Sequence, residues 1–164
     1  MNRVKHYIKE IAIFILVMTI FTNIISIYKS SDLNNESLKL SSITLMNSEI
    51  YSFKEDKPLL IHFWATWCPT CKLEASNVEA ISKQYNVITI AVNSGSNREI
   101  QEYLDENEFA FKVVNDQESI YASEFKIAAY PTTFIYDKNR DLVFSEVGYT
   151  STIGLYLRMW WAGL

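Results

Sequence analysis

"FWATWCPTCKLE", Phe63 to Glu74, holds both cysteines of this 164-residue chain, Cys68 and Cys71. The stretch before and including its first residues, "LLIHFWA" (59–65), is short and apolar, the pattern of a strand buried on both faces. The stretch that follows the first cysteine, "PTCKLEASNVEAISKQY" (69–85), places Leu73, Val78, Ile81 and Tyr85 near helical spacing. "NVITIAV" (86–92) is a second buried strand. Strand, helix, strand in this order implies a parallel pair joined by a right-handed crossover. Pro69 suits the first helical position, where a backbone N–H has no partner anyway. Cys68 is then the N-cap, among free N–H groups at the positive end of the helix dipole, which favours its thiolate. Cys71 stands one turn on, within disulfide reach. The pattern predicts an exposed attacking Cys68 and a more buried, resolving Cys71.

Two other readings of the pair compete. A structural staple normally joins distant segments, and a loop this small constrains little of the unfolded chain. A structural zinc site wants four ligands. The chain has two cysteines and two histidines, and His6 lies in a basic flank far from the motif. His62 leaves three donors, so no metal is assigned. Cu(I), which accepts fewer ligands and favours thiolates, keeps a copper-binding or metal-delivery module as the alternative.

Outward from the motif, the chain divides into three parts. Residues 1–28 carry Arg3, Lys5 and Lys9 against Glu10, a charge of +2, so the net charge of -4 leaves about -6 on the rest. An acidic body without a basic stripe argues against nucleic acid as a partner. Ile11 to Tyr28 contains no charge, and 18 helical residues span roughly 27 Å, close to the hydrocarbon thickness of a bilayer. We read 1–28 as a cytoplasmic flank and transmembrane signal-anchor, with no clear small-residue cleavage site after it. Residues 29–41 read as a linker and 42–164 as the domain, facing the periplasm or cell exterior from the cytoplasmic membrane. Cysteines placed there meet oxidising conditions.

Within 42–164, "ITLM" and "EIYSF" suggest a hairpin around Asn47-Ser48, and "KEDKP" (54–58) a charged loop. "NREIQEYLDENEF" (97–109) reads as a helix with Ile100, Leu104 and Phe109 inward. "FKVVND" is a short strand and "ESIYASEF" a short helix. "TTFIYD" and "LVFSEVGY" form a hairpin across 137–141. "TSTIGLYLRMWWAGL" reads as a terminal helix capped by Thr150 or Ser151. Trp160 and Trp161 are expected to complete the core rather than to dip into a membrane surface.

Strand-"FWATWCPTCKLE"-helix, followed by "AAYPTTFIYD" and "VGYTSTIGL", resembles the thioredoxin fold over residues 38–164. More narrowly, it is similar to the membrane-anchored thioredoxin-like protein disulfide oxidoreductases of bacteria, the suppressor-of-copper-sensitivity D type among them. The resemblance implies an α/β fold, a central mixed sheet flanked by helices. It also implies thiol–disulfide exchange with cysteines of exported proteins, a membrane redox partner, a link to copper tolerance, and no cofactor beyond the Cys68–Cys71 disulfide. It implies that Pro131 is cis, that Tyr130 and Thr132 offer backbone groups to substrate, and that Trp67 shields the disulfide while Trp64 joins the core. Glu74 matches a glutamate that tunes the cysteines in cytochrome-maturation relatives; the other reading is a surface residue favoured by the dipole. His62 stands where thioredoxin carries a buried aspartate, and reads either as proton shuttle or as a satisfied core histidine. A thiol peroxidase is a weaker reading, because the flanking sequence does not resemble that family.

Overall fold

The computed structural model describes residues 37–53 and 57–164, with positions 7, 9–11, 13, 14 and 17 of a helix before them. Most of the anchor stretch, and residues 29–36 of the linker, lie outside the described residues. Among the described residues no helix is long and apolar enough to cross a membrane.

The elements follow as β1 (Ser42–Thr44), β2 (Ile50–Ser52), β3 (Leu59–Trp64), α1 (Pro69–Ser82), β4 (Asn86–Val92) and α2 (Asn97–Glu106). After them come β5 (Lys112–Asp116), α3 (Ile120–Glu124), β6 (Thr132–Tyr136), β7 (Leu142–Val147) and α4 (Thr152–Ala162). The main sheet runs β5-β4-β3-β6-β7. β3 pairs parallel with β4 and antiparallel with β6, so the sheet is mixed. This is the thioredoxin fold. β1 and β2 form a separate antiparallel hairpin.

Every residue of β3 is buried because both sheet faces are covered. Leu60 and Trp64 point to a cluster with Val78 and Ile81 of α1, Ile100 and Leu104 of α2, and Leu155 and Met159 of α4. Leu59, Ile61 and Phe63 point the other way, to Phe134, Tyr136, Phe125 and the hairpin's Ile43. Strand alternation puts His62 on the face of Leu60 and Trp64, the side on which α1 lies.

Three sequence readings are corrected. α2 stops at Glu106 instead of reaching 109, because Glu108 turns left-handed (φ 57°) and the Phe109 N–H returns to the Leu104 carbonyl at 2.9 Å. The packed unit begins before residue 42. Leu38 and Leu40 pack on the second cluster, the Leu38 N–H reaches the Arg140 carbonyl at 2.9 Å, and Ser37 Oγ donates to Asp141 at 2.7 Å. Trp160 and Trp161 are not core residues: they are 56% and 60% exposed, while α4 buries Leu155, Met159 and Ala162.

Two poles follow. The carboxyl ends of β3 and β4 carry the cysteine motif. At the opposite pole, the β6–β7 turn holds Leu38, Arg140 Nη1 donates to the Lys57 carbonyl at 3.4 Å, and Gly163 after α4 abuts Pro58.

Candidate active site

The turn from β3 into α1 is held from β4's end. The Thr66 N–H donates to Ser94 Oγ at 3.0 Å, and Trp67 Nε1 donates to the Asn93 carbonyl at 3.0 Å. The Cys68 N–H closes the turn on the Ala65 carbonyl at 3.2 Å. Cys68 itself is extended (φ -88°, ψ 114°) and caps α1, with Pro69 as first helical residue. Its Sγ accepts the Cys71 N–H at 3.2 Å, and no acidic side chain stands in that first turn to oppose a thiolate. Cys68 and Cys71 are joined as a disulfide, Cα to Cα 5.3 Å. Cys68 is the more accessible of the two only narrowly, at 5% against 1%, so the expectation of an exposed sulfur is corrected. Its N-cap position seats it in the end of the core, and Pro69 and Trp67 form the exposed rim.

The loop before β6 faces this rim. The Tyr130–Pro131 peptide bond is cis and Pro131 is buried. The Tyr130 ring meets Trp67 edge-on at 5.6 Å. Thr132 Oγ1 donates to the Ala129 carbonyl at 2.8 Å, and the Pro131 carbonyl accepts the Gly148 N–H at 2.8 Å. Thr132 is already within the sheet, opposite Phe63 and Val147. Among the described residues the Tyr130 backbone has no hydrogen-bond partner, which leaves it as the free edge beside the cysteines. Trp64 is buried against Tyr103 and Phe111.

Two buried ionisable groups lie on the α1 side of the sheet, one on β3 and one on α1 itself. His62 Nδ1 stands 2.9 Å from Thr133 Oγ1, and burial lowers its pKa to about 3, so the ring is neutral. Glu74, three residues after Cys71 on the same side of α1, is fully buried, which rules out the surface reading. Its Oε1 accepts the Thr150 N–H at 3.2 Å; its Oε2 has no partner among the described residues. Burial raises its pKa to about 8, the Thr150 N–H opposes that rise, and the nearby Glu146 charge adds to it. Thr150 Oγ1 donates to Glu146 Oε2 at 2.9 Å, and the other Glu146 oxygen pairs with Arg158. Thr150 therefore joins the two carboxyls, one through its N–H and one through its hydroxyl. Asn77 fixes this turn from α1: its Nδ2 donates to the Thr150 carbonyl at 3.0 Å, and its Oδ1 accepts from Thr152 Oγ1 at 2.7 Å. The sequence reading missed Glu146, Arg158 and Asn77, and saw Thr150 only as a cap. No spacing rule links residues so far apart in the chain.

Among the described residues no group of three His, Cys, Asp or Glu side chains is placed to hold a metal ion. The arrangement is suited to two-electron exchange: a capped sulfur, a second sulfur one turn behind, and a carboxyl near it that holds its proton up to about pH 8.

Residues 34–145 match the family model described as AhpC/TSA. A thioredoxin-like protein of Haemophilus influenzae is 28% identical over 164 residues, 98% of this chain and 97% of that protein. The sporulation thiol-disulfide oxidoreductase A of Bacillus subtilis is 24% identical over 112 residues, 64% of this chain and 68% of that protein. Among solved structures, a thiol:disulfide interchange protein of the thioredoxin family from Chlorobium tepidum superposes with a TM-score of 0.67 at 20% identity, covering 79% of this chain and 94% of that one. The match over more than half of the chain, on a thioredoxin fold with a paired CPTC motif, makes this chain a member of the AhpC/TSA family and a thioredoxin-like disulfide oxidoreductase.

Proposed function

We propose that the chain is a membrane-anchored thiol–disulfide oxidoreductase acting on cysteines of exported proteins, Cys68 attacking and Cys71 resolving. The observation that carries it is the Cys68–Cys71 disulfide at the N-terminus of α1. In the reducing direction, the Cys68 thiolate attacks one sulfur of a substrate disulfide. A mixed disulfide forms and the other substrate sulfur leaves as a thiolate, which takes a proton. Cys71 then gives up its proton and attacks Cys68 Sγ. The second substrate sulfur leaves, also to be protonated, and the enzyme disulfide reforms. Two electrons have passed to the substrate; the oxidising direction is the reverse. The free Tyr130 backbone offers a docking edge for the substrate chain, with Trp67 beside it. Glu74 is better suited than His62 to take the Cys71 proton, because burial raises the basicity of its carboxylate whereas it leaves the His62 ring, held against Thr133, a very weak base.

The uncharged stretch 11–28 and its basic flank support the anchor and a domain in the periplasm or cell exterior, where a membrane redox partner restores the pair. The likeness to the suppressor-of-copper-sensitivity D type belongs to the same proposal. The test is disulfide exchange with insulin, together with trapping. Cys71→Ser is expected to accumulate a mixed disulfide through Cys68, and Cys68→Ser to accumulate none. Absence of exchange, with stoichiometric copper on the reduced protein, would select the metal-binding module instead. Peroxide consumption without disulfide exchange would select a peroxidase.

A further inference from the structure

α4 presents a continuous apolar stripe to solvent. Ile153, Leu157, Trp160 and Trp161 are 73%, 61%, 56% and 60% exposed, and Leu164 just beyond the helix is 75% exposed. At 100° per residue these positions fall within about a quarter to a third of the helix circumference. The only charged residue of α4, Arg158, lies off the stripe and is paired with Glu146. A stripe this long on an otherwise acidic domain marks a contact surface.

Its position names the occupant. α4 ends at the pole opposite the cysteine motif, where Gly163 abuts Pro58. The first residues of the packed unit, Ser37 and Leu38, are tied at that same pole, to Asp141 and Arg140. Leu38 and Leu40 pack on the domain, so the tether from the uncharged stretch 11–28 shortens to residues 29–36. Fully extended, eight residues reach at most about 28 Å. The tether thus leaves the domain at the pole where the two tryptophans and Leu164 stand open. Tryptophan favours the headgroup boundary of a bilayer, and a helix with one apolar face lies in that boundary.

We infer that α4 rests in the membrane interface, with Ile153, Leu157, Trp160 and Trp161 inserted among lipid headgroups. This inference rests on the anchored reading above. Because the body of the chain is acidic, insertion is carried by apolar contact and does not require anionic lipid.

The full chain in phosphatidylcholine nanodiscs tests it, with acyl chains brominated close to the headgroups as quenchers of tryptophan emission. The expected result is quenching in the wild type, no quenching in the double variant Trp160→Phe/Trp161→Phe, and none in Leu157→Glu, all three retaining insulin reduction. Protein that elutes with the discs while its emission is unquenched would overturn the inference and leave the anchor standing. If two chains per disc accompany the unquenched emission, the stripe is covered by a second copy and the inference is equally overturned. Protein that fails to elute with the discs overturns the anchor, and the inference with it.

Discussion

Glu74 is a carboxyl whose charge state is set by three neighbours: the Thr150 N–H on one oxygen, Glu146 on the far side of Thr150, and the apolar core around it. Arg158 holds the Glu146 charge in an ion pair. Glu146→Gln removes the repulsion that favours protonated Glu74, so the Glu74 pKa is expected to fall from about 8. Arg158→Met leaves the Glu146 charge unopposed, and the Glu74 pKa is expected to rise. A carboxyl-resolved NMR titration of the oxidised protein measures both. In the mixed disulfide, Glu74 in its proposed role takes the Cys71 proton only once ionised. The resolution step is therefore expected to quicken with pH through about 8, and Glu74→Gln to lose that inflection and about 100-fold in rate. Rapid-quench measurement of mixed-disulfide lifetime across pH checks it; an unaltered inflection would exclude Glu74 as the acceptor.

Elements are locked to one another by a few side chains that reach across. Glu79 of α1 is one: its Oε2 accepts the N–H groups of Ala110 at 2.8 Å and Phe111 at 3.1 Å, tying α1 to the start of β5. Glu79→Ala leaves both donors without that acceptor and is expected to cost about 2–3 kcal/mol. Glu79→Gln keeps an acceptor and should recover most of it, as read from urea midpoints at constant slope. Contacts of this kind were invisible in the sequence, whereas β3, α1 and β4 were legible because run length, Pro69 and apolar spacing are local signals. The cysteine pair was legible for the same reason. The Glu74–Thr150 bond was not, since it spans 76 residues. The outward turn of Trp160 and Trp161 was missed because periodicity states which residues share a face of α4 but not which face the core takes. The early end of α2 was missed because the left-handed backbone falls on Glu108, where no glycine announces it.

For the molecule as a whole, His62 and Glu74 give stability opposite dependences on pH. His62 is lowered from 6.5 to about 3, so below 6.5 the unfolded chain binds the extra proton; this contribution is intact above 6.5 and lost as pH falls toward 3. Glu74 is raised from 4.5 to about 8, so the folded chain binds the extra proton; its contribution is intact below 4.5 and lost as pH rises toward 8. Each slope has a limit of about 1.4 kcal/mol per pH unit, and the two oppose each other between 4.5 and 6.5. From these two groups the oxidised protein is expected to show a plateau in Tm over that interval and a decline on either side. Glu74→Gln should flatten the alkaline decline and turn the plateau into a rise up to about pH 6.5, which calorimetry across pH will show. The central position of β3 also has a consequence in time. His62 meets Thr133 across 71 residues, and the edge that Tyr130 offers beside the cysteines arrives with the same late strand. As the chain is made, Cys68 and Cys71 therefore emerge well before the loop that covers them. The redox site cannot close until that loop arrives, and for that interval its sulfurs meet their surroundings without the selectivity of the finished fold.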